Sequence, residues 1–479
     1  MSKTVVAFDF GASSGRAIKA VYDNGKLSYE EIHRFDNIPI YENGRMYHDF
    51  KMICAEIDKA LQKAGRIDSL AFDTWGVDYG LLDENGKLIN SPVHYRDTRT
   101  EKATEKVFEK ITPAELYAET GNQIMPINTL FQLTCEEESN AKQLLFMPDL
   151  FAYYLCKKAV CEKTIASTSQ MLHLSTGKWS ESVCNKCGID TKIFAPLCNS
   201  ATVIGEKDGI KVIAAAGHDT QCAIAAMPCE KGSTPAFLSC GTWSLIGCEL
   251  DEPILTEKSR NDELSNELGA NGKINYLKNI SGLWLIQETR RALKRAGFDY
   301  SYNDLEMLAR AEKPFTCFVD PDDPLFATEG DLPQRIRDYC GKTNQNVPET
   351  TGAVIRCIYE SLAMKYRYAI EQISENTGRS FDVLHLLGGG TKDSFLCQMA
   401  ADSLGFDVVA GPTEATAIGN IMLQLIALEE IGSIDEAREI IKKSEKVKTY
   451  KPENHNEWQT AYEKYLSIIN NSFYGGNNL

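Results

Sequence analysis

Residues 4–22, Thr4-Val5-Val6-Ala7-Phe8-Asp9-Phe10-Gly11-Ala12-Ser13-Ser14-Gly15-Arg16-Ala17-Ile18-Lys19-Ala20-Val21-Tyr22, decide how this chain begins to fold. Thr4–Phe10 is an apolar run rich in β-formers, and a turn of small residues leads from it into a second run, Arg16–Tyr22. Strand, tight turn, strand is the expectation. An acid, Asp9, ends the first strand, and the small residues after it leave backbone N–H groups free to wrap phosphates. Glycine there permits a positive φ and close approach, Ser13 and Ser14 add donors, and Asp9 is placed to hold Mg²⁺ through water. Taken alone, the same residues describe an ordinary polar hairpin equally well.

Working outward, Asp23-Asn24-Gly25 is a turn and Lys26–Phe35 a third antiparallel strand. Asp49–Ala64 carries Met52, Ile53, Ile57 and Leu61 at helical spacing with Gly65 as a stop, and Ser69–Thr74 follows as a strand. Helices are expected between 100 and 160, among them Thr129–Glu138 and Asp149–Cys156, and then a buried strand, Ile210–Ala216. Near Ser233 the opening pattern returns: Pro235–Ser239, a Cys240-Gly241-Thr242 turn and Trp243–Glu249 form a degenerate repeat of the first hairpin. A helix over Gly352–Asn376, a strand over Phe381–Leu387, a glycine loop, a helix over Asp393–Leu404 and a strand over Phe406–Ala410 complete the second half. The reading is an α/β chain of two duplicated domains, residues 1–230 and 231–479, joined near Pro228–Ser233 and binding a ligand in the cleft between them. Residues Asn470–Leu479 read as a frayed tail.

Composition narrows the function. The chain has 479 residues, 43% hydrophobic and 25% charged, too long for one core. Neither a leader nor a membrane-spanning run is expected, which suggests a cytoplasmic protein. A net charge of −16 disfavours nucleic acid as a partner, so a polyphosphate site must draw its attraction from backbone amides, helix N-termini and a divalent cation. The 15 cysteines are odd in number and read as thiols; Cys184 and Cys187, with Cys198 and His173 nearby, are weighed as a zinc set and set aside. Monomer and homodimer both stay open.

Three further stretches carry chemistry. Gly217-His218-Asp219-Thr220 sits where a strand gives way to a helix, so Asp219 either caps that helix or orients a substrate hydroxyl and accepts its proton late in a phosphoryl transfer. Leu386-Leu387-Gly388-Gly389-Gly390-Thr391-Lys392-Asp393-Ser394 offers a bare backbone surface against which a planar base can lie, or is simply a turn; it does not match a Walker A loop. In Phe72-Asp73-Thr74-Trp75-Gly76-Val77-Asp78-Tyr79 and His94-Tyr95-Arg96-Asp97, polar groups interrupt buried runs and need partners. A sugar is one candidate, with Asp78 and Arg96 on its hydroxyls and Trp75 over its apolar face; an internal Arg96–Asp78 bridge is the other.

The order of these motifs resembles that of the FGGY carbohydrate kinases from about residue 4 to about 450. DFGASSGR (9–16), FDTWGVDYGLLD (72–83), YRDTRT (95–100), GHDT (217–220), GTWSLIG (241–247), LKNISGLWLIQ (277–287) and AGPTEATAIGN (410–420) look like the subgroup acting on L-rhamnulose. The resemblance implies two actin-like (ribonuclease H-like) domains with an interdomain active-site cleft. It implies ATP contacts from Ala12, Ser13, Ser14, Gly15, Arg16, Thr242, Gln287 and Gly389, a catalytic base in Asp219, and sugar contacts from Gly76, His218, Asp219, Thr220 and Asn279. The implied reaction moves the γ-phosphoryl of MgATP to O1 of L-rhamnulose; another deoxy-ketose such as L-fuculose, or a non-catalytic actin-like nucleotide switch, are the alternatives. Where many relatives of other specificity carry a Lys, this chain has Pro126-Ile127-Asn128-Thr129, as that subgroup does.

Overall fold

The computed structural model describes residues 2–136, 140–230 and 232–475. The chain divides into two compact units, neither of them one continuous stretch: residues 1–233, 249–277 and 414–445 make the first, and 234–248, 278–413 and 446–479 the second.

In the first unit the opening hairpin pairs Lys3–Phe10 with Ser14–Asp23, with Asp9 opposite Arg16 and Phe10 opposite Gly15. Lys26–Asp36 extends it antiparallel, while Ser69–Thr74 and then Ile210–Ala214 add to its other side in parallel, and Thr202–Lys207 closes that edge. One face is packed by an aromatic cluster in which Phe8 stacks on Phe72 and Phe10 meets Phe151 edge-on. Against the other face lie the helices Asp219–Ala225 and Ala415–Ala427, covering Ala71, Ile213, Ala215 and Ala216. These two helices touch backbone to backbone: a Cβ on Gly419 would stand 1.9 Å from the Cys222 carbonyl oxygen. The later helix also reaches into the sheet, where Gln424 donates to Val6 O and accepts from Ser69 Oγ.

The second unit repeats the plan. Ala236–Cys240 and Trp243–Leu250 form its hairpin, and Val383–Leu387 and Asp407–Ala410 follow in parallel, with Lys448–Tyr450 antiparallel at the edge. Its core is built around the 27-residue helix Thr351–Thr377, whose ends are set by the Thr350 side-chain cap and by Gly378 in the left-handed region.

Local signals place most boundaries within a residue or two; the helix Phe50–Ala64, for instance, starts behind the Asp49 cap and stops at Gly65. Two expectations fail. The helix from Thr129 ends at Leu133, not Glu138, and residues 137–139 lie outside the described residues. The helix His455–Gly475 runs through the expected fraying point at Asn470, and residues 476–479 lie outside the described residues. Among the described residues, no helix is long and apolar enough to cross a membrane.

Candidate functional site

The two hairpin turns are built alike. In the first, Gly11 N–H donates to Ser14 O, and Asn37 ties down two more carbonyls, its N–H to Ser13 O and its amide to Gly11 O. The N–H groups of Ala12 and Ser13 donate to nothing among the described residues. In the second, Gly241 N–H donates to Trp243 O, Thr242 O accepts from Gly282 and Trp284, and the Thr242 N–H is uncommitted among the described residues. A turn whose carbonyls are capped and whose amides are free is a ready anion cradle. The glycines, however, are not there for a positive φ. Neither Gly11 nor Gly15 has one. Gly15 is required because a Cβ would lie 2.2 Å from the Phe35 ring.

At the ends of the first unit's parallel strands stand three carboxylates. Asp9 accepts two hydrogen bonds from Arg16, at 2.9 and 2.6 Å, and Arg16 also pairs with Glu414. Asp73, directly beside Asp9 in the parallel register, is completely buried; Asn420 donates to its Oδ2 at 2.6 Å, and its Oδ1 has no partner among the described residues. Burial and then the charge of Asp9 push Asp73 well above the carboxylate range, against the Asn420 hydrogen bond. In sequence a buried acid within FDTWG looks the same whether it serves structure or chemistry, so the motif alone gives Asp73 no role.

Asp219 is the third. His218, not Asp219, occupies the cap position of the helix Asp219–Ala225, and it makes no side-chain cap bond. The Asp219 carboxylate instead accepts from its neighbour Thr220, from the N–H at 2.6 Å and the hydroxyl at 3.2 Å. Its side chain keeps 31% exposure, so it faces outward while largely shielded. Burial raises it to about 6, with Asp9 adding to the effect and His218 opposing it. His218 Nε2 lies 3.5 Å from Asp219, and His218 Nδ1 is 2.9 Å from Glu267. Burial would lower the His218 pKa, but Glu267 and then Asp219 outweigh it and hold the ring above its usual value, favouring imidazolium. Glu267 is itself held by Gln221 at 2.7 Å, and Gln221 by Asn275. Glu162 fixes the loop from below, accepting from Gly217 N–H, Thr164 N–H and hydroxyl, and Ser200.

Gly76 lies beside this loop, since Thr74 donates to Gly217 O and bridges to His218. The next residue, Val77, is β-branched at φ +67°, a strained conformation. It is pinned by Thr168 Oγ1 on its N–H and by the Thr129 hydroxyl on its carbonyl, so Asn128-Thr129 has a visible task in shaping this turn.

Two expectations are corrected. Asp78 is fully buried and turned inward: its Oδ2 takes His48, Trp75 Nε1 and Tyr95 N–H, and its Oδ1 takes Gln132, leaving no oxygen for a sugar. Burial would raise its pKa, yet His48, His94 and Gln132 together keep it below the ordinary value. Trp75 is likewise buried, its indole committed to Asp78 and its ring 4.6 Å from His48. Arg96 is half-buried, with its guanidinium donating to the Tyr95 hydroxyl at 3.2 Å. Thr220 is buried, and its hydroxyl serves Asp219.

In the second unit, Thr242 and Gln287 are brought together, the hydroxyl donating to Gln287 Oε1 at 3.2 Å. Asn279 is half-buried in the strand Ile274–Ser281, whose last residue is anchored by Ser281 N–H to Asp322, and Asp322 by Lys365. The three glycines divide by cause. Gly388 adopts φ +81°; Gly390 is needed because a Cβ would strike Cys240 Sγ at 2.3 Å; Gly389 is exposed, has no positive φ, and a Cβ there would meet nothing within 4 Å.

Comparisons with known proteins show what the chain is similar to as a whole. The family model for the N-terminal domain of the FGGY family of carbohydrate kinases matches residues 4–227, and that for the C-terminal domain residues 236–428. A rhamnulokinase of Bacteroides thetaiotaomicron is 38% identical, covering 98% of this chain and all of its own. One from Bacillus subtilis is 36% identical over 94% of this chain and 95% of its own. The fold matches the crystal structure of ligand-bound xylulose kinase from Lactobacillus acidophilus, with TM-score 0.79, 16% identity and 98% of each chain covered. Plasmodium falciparum glycerol kinase with ADP matches with TM-score 0.77 and 15% identity, covering 100% of this chain and 99% of its own. The full-length likeness and the two matched models together show that the chain belongs to the FGGY family of carbohydrate kinases.

Proposed function

We propose that the chain transfers the γ-phosphoryl group of MgATP to O1 of L-rhamnulose, giving L-rhamnulose 1-phosphate and ADP in the cytoplasm. The observation that carries the reading is the Asp219–His218–Glu267 row within a chain whose relatives named rhamnulokinase are similar along nearly its whole length. Phosphoryl transfer passes through a loose transition state, so the protein's work is to orient the attacking hydroxyl and to receive its proton late. Asp219, raised to about 6 yet ionised at neutral pH, is suited to both tasks: its oxygen accepts the O1 proton as the bond to phosphorus forms. Imidazolium at His218 gives a donor next to that carboxylate for a second sugar oxygen; we assign Gly76 and, in the second unit, Asn279 to the sugar as well.

In the first unit the free amides of Ala12 and Ser13, with Ser14, Gly15 and Arg16, suit phosphates; in the second, the free amide of Thr242, with Gln287, suits them too. Gly389, whose missing Cβ nothing in its own unit demands, suits the flat face of the nucleotide. The oxygen-only donor set of Asp9 and Asp73 fits a hard cation, and the orphaned Asp73 Oδ1 fits a group that completes it. Bound there, Mg²⁺ would offset charge on the phosphates. A panel of ketoses assayed by ADP release tests the assignment: L-rhamnulose is expected to give the highest kcat/KM, and a preference for L-fuculose would sink it.

A further inference from the structure

Far from the carboxylates, three cysteines of the second unit gather in its core. Cys317 lies in the loop after the helix Tyr302–Arg310, Cys340 on the helix Leu332–Lys342, and Cys357 on the helix Thr351–Thr377. All three are buried, and their sulfurs lie within 4.8 Å of one another. Among the described residues this is the only group of three potential ligands so close; Cys184, Cys187, Cys198 and His173 do not converge.

The frame around them is rigid. Gln345 accepts from Phe318 N–H and donates to Phe318 O, while its own N–H binds Cys340 O. Ser361 accepts from Val319 N–H and donates to Cys357 O. The loop just after Cys317 is therefore tied to both helices that carry its partners. Phe315 and Thr316, just before Cys317, are half-buried, and Lys464 donates to the carbonyls of both.

We propose that Cys317, Cys340 and Cys357 form a closed three-sulfur site for a thiophilic ion that prefers three ligands, trivalent arsenic being the one whose charge it balances. A triangle with edges of 4.8 Å has its centre about 2.8 Å from each corner, so sulfur–ion bonds of about 2.3 Å require only a small contraction. Charge decides among ions in so buried a place. Three thiolates leave a net charge with Zn²⁺, which also wants a fourth ligand, and a larger one with Cu⁺; with As(III) they leave none. The step balances without an oxidant: arsenous acid and three thiols give the tris-thiolate and three waters. The ion would staple the loop to both helices.

The test uses the full chain, reduced under anaerobic conditions and treated with arsenite. Intact mass should show one arsenic added and three hydrogens lost. Alkylation and peptide mapping of the adduct should find Cys317, Cys340 and Cys357 withheld together. Cys317→Ala, checked for an unchanged thermal midpoint, should release arsenic to a competing small dithiol at least about tenfold faster, while Cys184→Ala should not. No adduct on the folded reduced chain, protection of only two of the three or of other cysteines, or displacement of arsenic by zinc on the same thiols would overturn the proposal. Mapping of wild type needs no variant to fold.

Discussion

Replacing Glu267 by Gln tests whether the charge on His218 matters for turnover. The substitution keeps shape and one acceptor but removes the anion 2.9 Å from His218 Nδ1. A hydrogen bond between charged partners contributes about 1.5–3 kcal/mol when buried. If that interaction holds His218 as imidazolium in the transition state, kcat/KM for the sugar should fall about 10- to 150-fold at neutral pH, at about 1.4 kcal/mol per tenfold. The pH profile should move as well. Asp219 must be ionised to accept a proton, so the wild-type rate falls as pH drops through about 6. His218 is what opposes the rise of Asp219, so a neutral His218 shifts this acid limb upward. Stability carries the same signature. The His218 pKa is raised on folding, so the stability it contributes is full below its unfolded value and is lost as pH rises through its folded value. The wild-type advantage over Glu267→Gln in unfolding free energy should shrink across that window. ADP-release kinetics from acid to alkaline pH, with denaturant unfolding in parallel, measure both. A well-folded variant with an unmoved acid limb and a rate within about twofold of wild type would refute the reasoning.

Asp219→Asn should lower kcat at least about 100-fold while ADP still raises the thermal midpoint as in wild type; turnover near wild type would assign the base elsewhere. Gly389→Ala should leave thermal stability unchanged and raise KM for ATP, whereas Gly390→Ala, meeting Cys240 Sγ at 2.3 Å, should cost about 1–3 kcal/mol in denaturant unfolding. Equal stability losses at the two glycines would undo that contrast. Gly419→Ala should destabilise by about 3 kcal/mol or more, since its Cβ would meet the Cys222 backbone, which has no rotamer to yield; a soluble variant with a wild-type midpoint would show that the helices part freely.

What could be read from sequence was what neighbours in sequence determine. Strand runs, helix ends marked by Asp49 and Gly65, and the repeated hairpin all depend on residues a few positions apart. The helix at Thr129 was overdrawn because its periodicity continues past the point where the chain turns out at Leu133. Site chemistry was legible as residue types and not as orientation. Asp78 and Trp75 have the composition of a sugar contact, but only the fold shows that each is spent on the other. The partners that set the charge of the GHDT loop come from far away in sequence. Glu267 stands 49 residues from His218, and Asn420 347 residues from Asp73. No local pattern reports such pairs. The same holds for cysteines: spacing drew notice to Cys184 and Cys187, while folding gathers Cys317, Cys340 and Cys357.

The helix Ala415–Ala427 has a consequence for how the chain is made. Its Asn420 satisfies the buried Asp73, its Gln424 clasps Val6 and Ser69, and its Leu423 covers the alanine face of a sheet whose first strand starts at Lys3. As the polypeptide leaves the ribosome, the opening sheet must therefore wait, with one face bare and one acid unanswered, until more than four hundred residues have been synthesised. A fragment ending near residue 233 would be released in that same unfinished state, so the unit that begins first is completed only after residues 414–445 have emerged.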